Sequence, residues 1–261
     1  MPDRMLPADL PPGRWVLADG GYHSHAAEEP VMWVSDEPVI DAAPQWSRLY
    51  ARHPVTGLYP LLLGSAPGDP DRPWHAGELM PFPASMIDDV DVEGLLRRSW
   101  KLQVPGRPWP GLAPATPRRH DPGIAARAVA ALCAAPGGRG RRWLLGLVPA
   151  RRGADALSVC GWSGPVNRHL HILEISAVVR SWEERLGARV VAVGFDTLDL
   201  SFGGPPATKE QARAFAAELI AFCPIGFAGY SLTDLVDGIA LPDGSVAGSI
   251  VAQTHMAFWW G

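Results

Sequence analysis

The stretch from Leu170 to Phe222 constrains this chain more than any other, because every local signal in it agrees on the order helix, strand, strand, helix. Apolar side chains at Ile172, Ile175, Val179, Trp182 and Leu186 recur at three- and four-residue spacing, which lines them along one helical face. Gly187 follows the last of them, where a left-handed helix stop is expected. Arg189 to Gly194 and Thr197 to Phe202 run apolar or alternate as strands do, with Phe195-Asp196 as a tight turn between them. Pro205-Pro206 breaks the chain, and Thr208-Lys209-Glu210-Gln211 is a capping-box pattern. It opens a second helix with Ala212, Phe215, Leu219 and Phe222 on one face, closed by Cys223-Pro224.

Before this unit the pattern is looser. Gly13 to Ala18 and Val31 to Val34 read as short strands. Trp46, Leu49 and Tyr50 recur at helical spacing between Ala42 and His53, with Pro54 expected to stop that helix. Thr56 to Gly64 is a strongly apolar strand whose Pro60 argues for an edge position or a start just beyond it. Asp88 to Trp100 has acids at its N-terminal end and Arg97, Arg98 and Lys101 near its C-terminus, matching the helix macrodipole. Residues 104–122 are dense in Pro and form the best linker candidate. Ile124 to Cys133 is an Ala-rich helix, Trp143 to Val148 a buried strand, Ser231 to Ile239 a short helix and His255 to Trp260 a last strand. The division that follows is an N-terminal mixed α/β region over 1–103, the linker over 104–122 and a C-terminal unit over 123–261. The fold class is α+β, with a C-terminal β-α-β-β-α-β order that fits a ferredoxin-like or related sandwich.

Composition enters where it excludes. No apolar run approaches the roughly eighteen residues of a membrane span, and Met1-Pro-Asp-Arg-Met-Leu-Pro lacks the apolar core of a signal peptide. Three scattered cysteines, Cys133, Cys160 and Cys223, suit free thiols in a reducing compartment, so a cytoplasmic location is expected. Residues 1–104 carry a net charge of −7 and residues 105–261 a net charge of +3. Arg139, Arg141, Arg142, Arg151 and Arg152 are the most basic stretch, but the chain as a whole is acidic and shows no nucleic-acid-binding signature. Neither a nucleic acid nor a membrane is expected as a partner.

Several separate motifs, in order, resemble a known family. Trp33-Val-Ser-Asp-Glu-Pro, Thr56-Gly-Leu-Tyr-Pro-Leu-Leu-Leu and Trp74-His-Ala-Gly-Glu-Leu are similar to its N-terminal half. Trp162-Ser-Gly-Pro-Val-Asn, Val179-Arg-Ser-Trp-Glu-Glu-Arg-Leu-Gly-Ala-Arg, Phe222-Cys-Pro and Phe258-Trp-Trp are similar to its signature domain. The family is a bacterial domain-of-unknown-function family, common in actinobacteria, number four-two-five-three. The resemblance implies no established activity. It implies Glu-His before Phe-Cys-Pro, Asp after it, and a final Asp, where this chain has Leu219, Ile225 and Gly261. If those polar residues formed a site, this chain has replaced most of it.

The candidate chemistry is sparse. Cys223 sits at a helix C-terminus, whose dipole disfavours a thiolate, and reads as a small buried hydrophobe. His169 with His171 and His23 with His25 lack the further ligands of a zinc pattern. Gly137-Gly-Arg-Gly lacks the Lys-Ser/Thr of a phosphate loop. No cofactor is expected. Arg180 to Arg185, with Arg180 and Glu184 as an i,i+4 pair, reads as a solvated helix face or a recognition face. Eleven Trp exceed what the core needs, and Trp259-Trp260 cannot both point to one side of a strand, so one is expected to line a surface. The leading expectation is a non-catalytic protein-interaction module, with an immunity or antitoxin role as an analogy. Its candidate interaction or pocket residues are Trp162, Asn167, Arg180, Trp182, Glu183, Arg185, Glu218, Cys223, Trp259 and Trp260. One rival is an enzyme with Glu218, Asn167, Cys223 and Arg180 converging in a cleft. Another is a small-ligand sensor with an apolar pocket lined by Trp162, Trp182 or Trp260.

Overall fold

Strands β1 (Gly13–Val16), β2 (Met32–Ser35), β3 (Leu58–Leu63), β4 (Leu144–Pro149), β5 (Ala188–Val193), β6 (Thr197–Phe202) and β9 (His255–Trp259) join in one sheet. Their order is β1-β2-β4-β3-β5-β6-β9, antiparallel throughout except where β3 runs parallel to β5. The short strands β7 (Ile239–Ala240) and β8 (Val246–Ala247) pair separately. This computed structural model describes residues 6–22, 29–135, 142–165, 171–240 and 246–261.

Helices cover both sides of the sheet. On one side, α1 (Ala42–Thr56) and α3 (Pro122–Ala134) pack together and against β3, β5 and β6. On the other lie α4 (Gly153–Cys160) and α5 (Ile172–Leu186), packed on β4 and β5. Beyond α5, α2 (Val92–Gln103) packs on α5, α6 (Lys209–Phe222) on α2, and α7 (Leu232–Asp237) on α6. The strands sort their side chains accordingly. In β3, Tyr59, Leu61 and Leu63 join the larger core under α5, while Leu58 and Leu62 turn to the α1 and α3 side. A bulge between Val190 and Ala192 lets β5 present two consecutive residues, Val191 and Ala192, to α1 and α3.

The α+β class is as expected, but the strand pairing is not ferredoxin-like. In that arrangement the first strand of the C-terminal unit would lie beside the third. Here β4 lies between β2 and β3, and β3 separates it from β5. The reason is that β3, apolar on both faces, is the best available partner for both strands, and element order alone cannot reveal it. Two local readings also change. Pro54 does not stop α1, which runs to Thr56 and ends where Gly57 adopts φ 66° and bonds back to the His53 carbonyl. Pro60 sits inside the sheet rather than on its edge. Its missing N–H meets no strand, because β5 pairs with β3 only from Leu62 onward, and its carbonyl accepts the Trp46 indole N–H at 2.9 Å. The capping at α6 is shifted by one: Thr208 accepts from the Gln211 N–H, while Gln211 reaches back to the N–H of Ala207. No sequence signal marked α4, which is short and buried nearly all round.

The Pro-rich segment lies against the C-terminal elements. Thr116 donates its backbone N–H to the Arg185 carbonyl and its hydroxyl to the Gly204 carbonyl, and His120 N–H bonds Gly203.

At Gly146 in β4 a Cβ would come 2.6 Å from Leu63 Cδ1 and 2.9 Å from Met32 Cε, both in the core. Gly146→Val should therefore destabilise the protein by about 1–3 kcal/mol through overpacking, read as a lower urea midpoint at unchanged m-value.

Candidate functional site

The family-like residues of α5 and α6 converge on an ion pair with no solvent exposure at its carboxylate. Glu218 Oε1 accepts from Ala113 N–H at 2.6 Å and from Arg185 at 3.0 Å. Its Oε2 accepts from Arg185 at 2.6 Å and from the Trp182 indole at 2.8 Å. Arg185 also donates to the Ala113 carbonyl and the Ser181 hydroxyl. A buried carboxylate demands this many donors. Its arrangement clamps the Pro-rich segment to α5 and α6.

Arg180 serves a second cluster, away from Glu218. Its guanidinium holds Asp155 Oδ1 at 2.7 and 3.0 Å, the Asp88 carboxylate and the Ala84 carbonyl. The expected Arg180–Glu184 pair is not made: Asp155 on α4 offers a buried carboxylate, and Glu184 pairs with Arg152 at 2.7 Å instead. Asp88, Arg152, Arg180, Ser181 and Glu184 line an open groove on this face, so its charges already neutralise one another. Glu183 points elsewhere, 3.7 Å from Arg189, and its Oε2 has no hydrogen-bond partner among the described residues. Burial pushes the Glu183 carboxyl above its ordinary value, with Arg189 opposing the shift.

Trp162, Trp182 and Trp260 are core residues. Trp182 packs against Phe215, Phe222 and Phe258, with ring centroids 4.8–5.7 Å apart. Trp260 meets Phe222 and Trp162, whose indole N–H donates to the Gly194 carbonyl. Cys223 is buried, donates to the Trp259 carbonyl at 3.1 Å, and is pushed up by burial to about 11. Trp259 faces outward from β9, 49% exposed. Leu219, at one position where the family resemblance implies a polar residue, is core. Glu218, Cys223 and Arg180 therefore sit in three separate settings. Asn167, His169, His23, His25, Arg139, Arg141 and the Gly137-Gly-Arg-Gly stretch lie outside the described residues. His171 caps α5, accepting from the Leu173 N–H while Glu174 accepts from its own N–H.

One constellation had no sequence signal. Cys133 at the end of α3, Asp199 of β6 and His255 of β9 bring a sulfur, a carboxylate oxygen and a ring nitrogen within 4.8 Å of one another. His255 Nε2 lies 2.9 Å from Asp199 Oδ1. These residues are too far apart in sequence, and on too many elements, for any spacing rule to join them.

Residues 144–261 match the model of a family described as a domain of unknown function (DUF4253). No curated protein and no solved structure matches the chain. The matched segment starts at the first residue of β4 and contributes β4, β5, β6 and β9 to the sheet. Within the sheet its β4 and β5 are separated by β3, which lies outside the match. The Glu218 clamp likewise reaches outside it, to Ala113.

Removing Glu218 would leave Arg185 buried without its carboxylate. Glu218→Ala should cost about 3–5 kcal/mol in chemical denaturation, whereas Glu184→Ala, which removes an exposed pair, should stay within about 1 kcal/mol. Glu183 gives a pH-dependent signature. Its folded-state pKa lies above the ordinary 4.5, so the folded chain holds its proton longer than the unfolded one. Its contribution is thus absent below 4.5 and becomes fully unfavourable as pH rises through the folded value. Stability measured against pH for Glu183→Gln should gain on wild type across that window and hold its gain above it.

Proposed function

We propose that the protein is a cytoplasmic interaction module that holds a second protein through the outward face of β9 around Trp259. The setting of Trp259 carries this reading. Half exposed, it is nonetheless held in place: its indole N–H donates to Asp196 Oδ2 at 3.0 Å, and its carbonyl accepts from Cys223. A large aromatic fixed before docking loses little side-chain freedom on binding, so more of its apolar area counts toward affinity. Trp is also the residue most enriched among interface hot spots. Gly261 leaves the room this needs, since a Cβ there would collide with Asp196 Oδ2 and come 2.8 Å from the Trp259 indole nitrogen. The partner that fits presents an apolar pocket of indole width, with a hydrogen-bond donor for the Asp196 carboxylate at its rim.

The groove at Arg180 is the weaker surface, because its arginines are already neutralised from within. A reducing location is supported by Cys160 and Cys223, both buried free thiols.

The test is capture by the tagged chain from its native lysate, followed by calorimetry with the purified partner. Trp259→Ala should weaken binding roughly 30-fold, the effect of a hot spot worth about 2 kcal/mol. Leu102→Ala, an exposed change on α2, should leave binding intact. A partner bound equally well by Trp259→Ala, or no stoichiometric partner at all, would overturn the reading.

A further inference from the structure

The side of β6 opposite the aromatic core carries Thr197, Asp199 and Ser201, all buried and all polar. A strand that buries three polar side chains in a row on one face needs a reason, because each loses its hydration. Part of the reason is visible. His255 on β9 lies directly opposite Ser201 and reaches diagonally to Asp199. The Trp260–Asp196 and Phe202–Thr254 backbone bonds place Ser201 and His255 at a non-hydrogen-bonded pair, where facing side chains approach most closely. From above, the last turn of α3 delivers Cys133, partly buried and anchored by the Trp143 indole bond to its carbonyl.

The imidazole–carboxylate bond does not account for everything at this site. The Ser201 hydroxyl is fully buried yet finds no hydrogen-bond partner among the described residues. The thiol approaches the same point as the carboxylate and the ring nitrogen. The negative end of the α3 dipole is at Cys133, which favours a cation there.

We propose that Cys133, Asp199 and His255 form a three-ligand site for a divalent ion of the zinc class, with a fourth coordination position open beside the Ser201 hydroxyl. Thiolate, imidazole and carboxylate together are the donor set of zinc rather than of magnesium or calcium, which take oxygen ligands. Ligand bonds of about 2.0–2.3 Å place tetrahedral donors roughly 3.5 Å apart, so donors already within 4.8 Å need only side-chain adjustment to close on an ion. Binding would displace the thiol proton and any proton shared between His255 and Asp199. The Ser201 hydroxyl would then hydrogen-bond the bound Asp199 or a water in the open position, which satisfies its orphaned group.

The test uses the full, reduced, metal-free chain titrated with cobalt(II), followed by absorption in the near ultraviolet and visible. We expect one cobalt per chain, thiolate-to-cobalt charge-transfer absorption, tetrahedral ligand-field bands and displacement by zinc. Cys133→Ser should abolish the charge-transfer band, and Asp199→Asn or His255→Gln should weaken binding at least 10-fold. Ser201→Ala, the mildest change, should weaken it about 10-fold. Cys160→Ser should change nothing, since that thiol is buried and pushed up to about 12. Trp259→Ala should also bind cobalt normally, which separates this site from the docking face. Circular dichroism establishes that each variant is folded. Absence of the band in wild type, its survival in Cys133→Ser, or selective alkylation of Cys133 without metal binding would overturn the proposal.

Discussion

Strand β3 is bonded to β4 along its length and to β5 at Leu62 and Leu63, is buried on both faces, and gives the other layers their positions. Its antiparallel partner β4 brings in β2 and β1; its parallel partner β5 brings in β6 and β9. Tyr59 reinforces the second join by donating its hydroxyl to the Val190 carbonyl at 2.8 Å, from beneath a surface that includes Gly153. A strand in this position has to read as a continuous apolar run, as Leu58-Tyr59-Pro60-Leu61-Leu62-Leu63 does. The consequence for the DUF4253-like segment is that β5, β6 and β9 adjoin one another while β4 stands apart, both of its neighbours, β2 and β3, belonging to the other half of the chain.

Around this apolar frame the buried charges act as fasteners of irregular chain. Glu218 and Arg185 fix the irregular chain at Ala113, and Arg180 ties α5 to α4 and to the 3-10 helix Ala84–Asp89. Such pairs add little net stability, because desolvation offsets most of the attraction. They do penalise any arrangement in which one member is left alone. Segments with no apolar stripe of their own are thereby held in one place. The aromatic cluster around Trp182 supplies the burial that these polar contacts do not.

The legible parts of the sequence were those with local periodicity. Both long helices of the central unit, their glycine or proline stops and the strands between them follow from side-chain spacing within each element, and they appear within a residue or two of the reading. That one of Trp259 and Trp260 faces outward follows from strand alternation; that it is Trp259 does not. What depended on long-range pairing was not legible. Nothing near Leu144 says that it lies beside Leu63 rather than beside β6. The partner of Arg180 was misread because the i,i+4 rule knows only the helix itself, whereas the winning carboxylate, Asp155, sits on a helix with no amphipathic signal. Cys133, Asp199 and His255 each looked ordinary in its own stretch, and only the meeting of α3, β6 and β9 makes them neighbours.

The single parallel join has a temporal meaning. Leu62 pairs with Ala192, so the ribosome must add 130 further residues before the two can meet. At about 5–20 residues per second that interval is roughly 7–26 s. Through it, the nascent chain carries a strongly apolar strand, open on both edges until β4 emerges and on one edge thereafter, the kind of template on which other chains assemble. Pro60 shortens that template. With no N–H to offer and its carbonyl capped by the Trp46 indole from the already emerged α1, it leaves only the Leu62 and Leu63 end receptive. The same proline that is silent in the finished sheet guards its growing edge during synthesis.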